Sequence, residues 1–267
     1  MQRVFDFHVH GNFSYKDFRE VAFNVGIDFS LDGLLREMRE HGVVATAVIS
    51  LPCGGYWSEV LSLKNCFYPI IGVDSGCLDL GLLDSFIDRV LGVKVYVGYD
   101  RIDPRDGRLY ELYKFLEDRG KLVVFHTGSL WRRWGGYVRY SHPLNFDDVA
   151  VDFPELKIIL AHAGFPWVRD AAEVAYKNDN VYVDISGWIE ESEEVSEYYL
   201  NFLRRELKFL VEYCGEDKVL FGSDWPLCRI GRYLDFVMSI GFEDDVLNKI
   251  LYWNAVRLVR ELGFKPP

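Results

Sequence analysis

Eight short runs of β-branched and apolar residues, spaced along the whole chain and separated by longer stretches, constrain this sequence more than any other feature. They are Arg3 to His8, Val43 to Ser50, Phe67 to Val73, Gly92 to Gly98, Lys121 to His126, Lys157 to His162, Val181 to Ile185 and Lys218 to Ser223. Amphipathic stretches between them predict helices near residues 30–41, 78–91, 106–119, 144–153, 166–177, 198–214 and 243–261. The segment from Gly54 to Asn65 carries the weakest helical pattern, and Gly128 to Pro143 interrupts the rhythm with an aromatic and basic insertion. Strands that alternate with helices build a parallel sheet from repeated βα units. An open, doubly wound sheet usually opens with a glycine-rich phosphate loop, and neither G-x-G-x-x-G nor G-x-x-x-x-G-K-[ST] occurs here. Eight strands closing on themselves need roughly 250 residues, and the chain has 267. The expectation is a single α/β domain over residues 1–267, a (β/α)8 TIM barrel without linker tracts or further repeats.

Charge and cysteine usage narrow the partners. Hydrophobic residues make up 49% and charged residues 27%, a globular composition. A formal charge of −11 argues against nucleic acid, whose affinity comes from neutralising phosphates with Lys and Arg. The five cysteines, Cys53, Cys66, Cys77, Cys214 and Cys228, are odd in number and contain no C-x-x-C pair. They predict neither a disulfide framework nor a thiolate zinc site, and a reducing cytoplasm fits them best. No apolar run approaches the roughly 20 residues that span a bilayer, and the start MQRVFDFHVHGNF carries no targeting pattern. A small molecule is the expected partner, and a homo-oligomer is compatible with the composition.

Polar residues interrupt the apolar runs at one kind of place. His8 and His10 end the first run, His126 the fifth and His162 the sixth, and Asp224 follows the eighth. In a parallel barrel the C-terminal strand ends converge on one face, where active sites sit. Residues i and i+2 on a strand point to the same side, so both imidazoles of the H-x-H pair can approach one ion. An isolated H-x-H is as readily a pair of hydrogen-bonded rim histidines, and Asp224 alone could be a helix cap or turn former. His126 in VVFHTG and His162 in ILAHAG end apolar runs, where an unpaired polar ring is costly to bury and where metal binding or catalysis offsets that cost.

The segments FDFHVHG, GVKVY, LVVFHTG, FPELKIILAHAGFPWV, NVYVDISG, VLFGSDWP and WNAVRLV occur in an order, and over a span, that resembles the amidohydrolase superfamily. Within it the chain is similar to the TIM-barrel branch that holds aminocarboxymuconate semialdehyde decarboxylase and dicarboxylate lactonases. The resemblance implies one divalent ion, zinc first and manganese as an alternative, held by His8, His10, His126 and Asp224. His162 is then the catalytic histidine beside it, although some relatives let that residue touch the metal. The PHP phosphoesterases share an opening like DFHVHGNFS, but their later acidic and histidine cluster is not apparent.

Lys94 on the fourth run has two readings under this resemblance: a carboxylated lysine bridging two ions, or, as favoured here, a contact to substrate. An inward lysine paired with a carboxylate is the bland alternative. Zinc lowers the pKa of coordinated water from 15.7 to about 7 and polarises carbonyls. The expectation is therefore a metal-dependent hydrolase of a small, carboxylate-bearing lactone, ester or amide, with Asp224 and His162 as the proton-handling groups. A decarboxylase or hydratase on the same single-ion site is the alternative, and a non-catalytic metal-binding protein the third. Tyr56, Trp57, Trp131, Arg132, Arg133, Trp134, Trp188 and Trp225 are placed for loops over the mouth, as an aromatic wall or as plain rim packing. His142 is positioned before the fifth helix, within reach of the pocket, and His41 at a helix C-terminus favoured by the dipole.

Overall fold

A computed structural model describes residues 2–53, 55–132 and 134–267. Gly54, at the start of the weakest helical segment, and Arg133 of the expected rim lie outside the described residues. Eight parallel strands pair in chain order: β1 (Val4–His10), β2 (Val43–Ile49), β3 (Phe67–Val73), β4 (Gly92–Val95), β5 (Leu122–His126), β6 (Lys157–Ala161), β7 (Val181–Asp184) and β8 (Val219–Leu220). After β8 the chain runs on along β1 and closes the ring. Phe7 N–H donates to Phe221 O at 2.7 Å, Asp224 N–H to His8 O at 2.9 Å and His10 N–H to Trp225 O at 2.9 Å. The result is the expected (β/α)8 barrel.

The helices are α1 (Lys16–Asn24), α2 (Leu31–Glu40), α3 (Tyr56–Leu61), α4 (Leu80–Asp84), α5 (Val97–Asp100), α6 (Gly107–Asp118), α7 (Asp147–Asp152), α8 (Val168–Lys177), α9 (Glu197–Cys214), α10 (Ile230–Met238), α11 (Asp244–Asn248) and α12 (Asn254–Glu261). Strand alternation separates two cores. Phe5, Phe7, Ala47, Ile70, Val124 and Ile159 fill the barrel interior, which α12 plugs from below with Ala255, Val256, Leu258 and Val259. Val48, Ile71, Val93, Val95, Phe125 and Leu160 face outward against the helices.

Three expectations about elements change. Helices α1, α5 and α10 are additional; α10 buries Ile230, Tyr233, Leu234 and Val237, spaced i, i+3, i+4, i+7, the stripe of an amphipathic helix. The fourth strand stops at Val95 because the chain turns at once into α5. The sixth stops at Ala161 because His162 and Ala163 take left-handed backbone, with φ of 62° and 44°.

The cysteine expectation is corrected at one pair. Cys53 and Cys77 form a disulfide, with Cα atoms 5.5 Å apart, while Cys66, Cys214 and Cys228 are free. The pairing is topological: β2 and β3 are neighbours, Ile49 opposite Ile70, so the loops that leave them rise side by side. Among the described residues no helix is long and apolar enough to cross a membrane.

Phe7 is 1% exposed at the centre of the interior core. Phe7→Ala is expected to cost about 3–5 kcal/mol of stability, read by urea denaturation. A cost below about 1 kcal/mol, the usual range for exposed sites, would contradict this packing.

Candidate metal centre

The centre is built on an irregularity in β1. Phe5 and Phe7 point into the barrel and Val9 points out, yet His8 and His10 also face the site. The parity changes between Phe7 and His8, where pairing with β2 shifts register between Asp6 and Val9. A bulge of this kind re-aims side chains. The buried Asp6 carboxylate braces it: Oδ1 accepts from His8 N–H at 3.1 Å and Ser223 N–H at 3.0 Å. Burial pushes the Asp6 carboxyl up to about 7.

Both imidazoles meet one oxygen. Asp224 Oδ1 lies 3.5 Å from His8 Nε2 and 3.1 Å from His10 Nε2. Behind His8, Nδ1–H donates to Asp184 Oδ2 at 2.9 Å, which leaves Nε2 as the lone-pair atom; that nitrogen is buried without a hydrogen-bond partner. The other Asp184 oxygen accepts from Ser186 Oγ, from Ser186 N–H at 3.0 Å and from His162 N–H at 3.3 Å. Ser186 in turn meets His162 Nδ1, through its carbonyl at 3.2 Å and its Oγ at 3.0 Å. His162 Nδ1–H is thereby committed, and its Nε2 stands 3.3 Å from His126 Nδ1. His126 donates Nε2–H to Ser129 O at 2.9 Å. The hydrogen-bond network therefore assigns lone pairs to both facing nitrogens.

Burial is the largest influence on the imidazoles. It lowers His162 to about 4 and His126 well below its ordinary value, and it lowers His8 with help from the nearby Lys94 charge. All three are neutral at pH 7, the form in which imidazole ligates metal. Burial also opposes ionisation of Asp184, but attraction to His8 and its hydrogen bond, then His162 and Lys94, hold that carboxyl below the usual range. Asp224 is held low against burial by the His10 hydrogen bond and by attraction to His162, His8 and His10.

Lys94 is fully buried, and its Nζ has no hydrogen-bond partner. It sits on β4 between the outward Val93 and Val95, aimed into the barrel with Nζ 5.6 Å from the Tyr96 ring centroid. Burial lowers it to about 8, with Asp184 and Asp224 opposing. The paired-carboxylate reading of this lysine is therefore corrected: both carboxylates act on its charge, and neither hydrogen-bonds it. A small cavity of about 40 Å³ joins these groups, lined by His8, His10, His126, His162 and Asp224 together with Lys94, Phe18, Tyr96, Tyr99, Trp131 and Trp134.

The rim expectations divide. Trp131 and Trp134 line the inner cavity and Tyr56 lines a neighbouring one, while Arg132 is exposed outside both. Trp57, Trp188 and Trp225 are buried structural residues whose indole N–H groups donate to Gly72 O, His162 O and Glu37 Oε1 at 2.8, 2.9 and 3.2 Å. Trp188 thus holds the backbone of His162. His142 does not reach the cavity; it caps the turn at Pro143 and packs on Trp167, ring centroids 4.9 Å apart. His41 ends α2 as expected. Asp184, Ser186 and Gly187 were not singled out by sequence. At Gly187, with φ 71°, a Cβ would come within 2.7 Å of His162 Nδ1 and 3.0 Å of Asp224 Oδ2, so the site's close packing requires glycine.

These residues suit a divalent cation. Ligand atoms of His8, His10 and Asp224 lie within 4.8 Å of one another, as do those of His8, His162 and Asp184. His126 is in neither group and joins the cluster through His162. The donor chemistry fits: neutral imidazole lone pairs, an ionised carboxylate, and a carboxylate–histidine pair behind a ligand position, the arrangement that fixes tautomer and basicity around protein-bound metals. Asp184→Asn is expected to lower zinc affinity by about 10–100-fold, with an unchanged far-ultraviolet spectrum. Wild-type affinity in a chelator competition would contradict the role given to Asp184.

The chain has relatives among known proteins. L-rhamnono-gamma-lactonase of Scheffersomyces stipitis is 26% identical over 184 residues, covering 57% of this chain and 53% of its own. Gamma-resorcylate decarboxylase of a Polaromonas species is 23% identical over 192 residues, covering 64% of this chain and 52% of its own. The chain spans about half the length of the curated relatives it matches. A solved amidohydrolase from Burkholderia multivorans with bound zinc has the same fold, with a TM-score of 0.77 at 17% identity over 98% of this chain and 100% of that one. The family model described as amidohydrolase matches residues 87–260, from just before β4 to the end of α12 and including Lys94, His126, His162 and Asp224; this chain belongs to the amidohydrolase family.

Proposed function

We propose that this protein is a metal-dependent hydrolase that opens a small lactone, ester or amide bearing a carboxylate. The observation that carries this reading is the buried Lys94 ammonium, without a hydrogen-bond partner and lining the same cavity as the histidine and aspartate cluster. A buried charge of this kind calls for a counter-charge, and a substrate carboxylate supplies one. His8, His10, His126 and Asp224 would hold a single ion, zinc being the first choice because the Burkholderia relative binds it. The chemistry supplied by an ion there is acidification of water and polarisation of a carbonyl.

The chain's own groups divide the remaining work. Lys94 orients the substrate by its carboxylate. Asp224 orients or deprotonates the attacking water. His162 Nε2, the end of that ring not tied to Ser186, carries a proton between the reacting atoms and the leaving group. The ring pivots little because Ser186 fixes Nδ1 and Trp188 fixes the backbone. Phe18, Tyr96, Tyr99 and Trp134 keep water from the substrate side.

One observation favours a second reading, non-oxidative decarboxylation. Phe18, Tyr96, Tyr99, Trp131 and Trp134 line the cavity, surroundings that suit the loss of a neutral product, and one relative is a decarboxylase. There His162 Nε2 would take a proton from water and pass it to the carbon that loses carbon dioxide.

A panel of carboxylate-bearing lactones, esters, amides and aromatic acids tests the proposal and separates the two reactions. Hydrolysis incorporates oxygen from labelled water into product; decarboxylation releases carbon dioxide without it. Chelator treatment is expected to abolish turnover and zinc to restore it, with one ion per chain by mass spectrometry. Activity that survives removal of the ion would overturn the reading. His162→Ala and Asp224→Asn are expected to lower kcat by about 100-fold or more with the fold intact; near-wild-type turnover in both would refute their roles. Lys94→Met should raise KM for an anionic substrate about 10–100-fold, the scale of a lost charged hydrogen bond, and an unchanged KM would contradict it.

A further inference from the structure

A second cavity of about 290 Å³ adjoins the inner one and shares Tyr96, Tyr99 and Trp134 with it. Its other walls are Tyr15, Leu51, Pro52, Tyr56 and Asp74. The rings stand edge to face: Tyr15 and Tyr56 are 5.8 Å apart at 88°, and Tyr15 and Trp134 are 5.9 Å apart at 69°. Such walls offer faces and edges to an inserted planar group.

The chamber is held in shape from several sides. Tyr15 O–H and Trp134 Nε1–H both donate to Asp17 Oδ2, at 3.0 and 3.1 Å. Asn12 ties Leu51 N–H to its Oδ1 at 2.6 Å and donates from Nδ2 to Tyr56 O at 2.9 Å. The Cys53–Cys77 disulfide joins the loop carrying Pro52 to the loop carrying Asp74. Asp74 is the one charged side chain among the described lining residues. Its Oδ1 accepts from Gly76 N–H at 2.9 Å and Cys77 N–H at 3.0 Å, and its Oδ2 accepts from no described residue. A carboxylate without a basic partner repels an anion and welcomes a hydrogen-bond donor.

We propose that the substrate is bipartite: its reacting group reaches the mouth of the inner cavity, and a neutral planar arm bearing a hydrogen-bond donor lies in this outer chamber, between Tyr15, Tyr56 and Trp134, with the donor on Asp74. The assignment of a carboxylate to the reacting group rests on the function proposed above; the arm rests on the outer chamber alone. The substrate is accordingly longer than a single ring.

Calorimetric titration of the zinc-loaded protein tests this with three probes: benzoate, biphenyl-4-carboxylate and 4′-hydroxybiphenyl-4-carboxylate. The hydroxylated biphenyl is expected to bind at least about tenfold more tightly than benzoate, as expected for burying one aromatic ring and pairing its hydroxyl. Tyr56→Ala should collapse the ratio between biphenyl-4-carboxylate and benzoate, and Asp74→Asn the ratio between the hydroxylated and plain biphenyls. Equal affinities in the wild-type protein, ratios that survive both substitutions, or failure of all three probes to bind would overturn the inference. Lys94→Met separates the two readings. If it leaves benzoate affinity unchanged while the biphenyl ratios persist, the carboxylate assignment falls and the arm stands.

Discussion

The seam where the last strand closes on the first is the constraint on which the site depends. His8 O accepts from Asp224 N–H, and His10 N–H donates to Trp225 O. Asp6 ties the backbones of His8 and Ser223 together from beneath. Two histidines from the start of the chain and a carboxylate more than two hundred residues later are thus registered by main-chain hydrogen bonds rather than by flexible side chains. Rigid elements of this kind hold ligand positions more closely than loops do. The backbone at Asp224 is left-handed, with φ 63°, and so is that at His162, with φ 62°. Non-glycine residues hold that conformation at a cost of about 1–3 kcal/mol, which the surrounding seam and the Trp188 hydrogen bond offset.

Charge balance explains why so many ionisable groups tolerate one dry place. Lys94, Asp184 and Asp224 are all buried; against that burial Asp184 is held ionised chiefly by His8, with His162 and Lys94 behind it, and Asp224 by the His10 hydrogen bond and the neighbouring histidines. Removing any one of them leaves a buried charge without compensation, which is more damaging than losing an exposed pair. Lys94 differs from the rest because no hydrogen bond engages it, whereas Asp184 is saturated by His8, Ser186 and His162. The saturated group organises the cluster; the open one is the group to which the proposed function assigns the substrate carboxylate.

Much of this was legible in the sequence because the fold repeats a simple unit and places polar residues where apolar strands end. His8, His10, His126, His162 and Asp224 stood out against their runs, and Lys94 interrupted the fourth. What stayed hidden depends on contacts between distant segments. The bulge that brings both Phe7 and His8 inward leaves no local mark in FDFHVH. Asp184 in VYVDIS reads as an ordinary strand end until His8 is seen across the barrel. Trp57, Trp188 and Trp225 looked like mouth aromatics, but each is a buried side chain whose indole N–H finds an acceptor within the fold. Cys53 and Cys77 carry no pairing motif because adjacent barrel loops, not spacing, bring them together. Helix α10 is the exception: its apolar stripe was present in IGRYLDFVM and could have been read.

The central claim is that the seam between β1 and β8 builds a centre for one divalent ion from imidazole and carboxylate groups. X-ray absorption at the zinc edge, on protein loaded with one equivalent per chain, tests it most directly. The account predicts a single zinc environment of nitrogen and oxygen donors with multiple imidazole signatures, lost in His8→Ala. Sulfur in the first coordination sphere, or an unchanged spectrum in that variant, would contradict it.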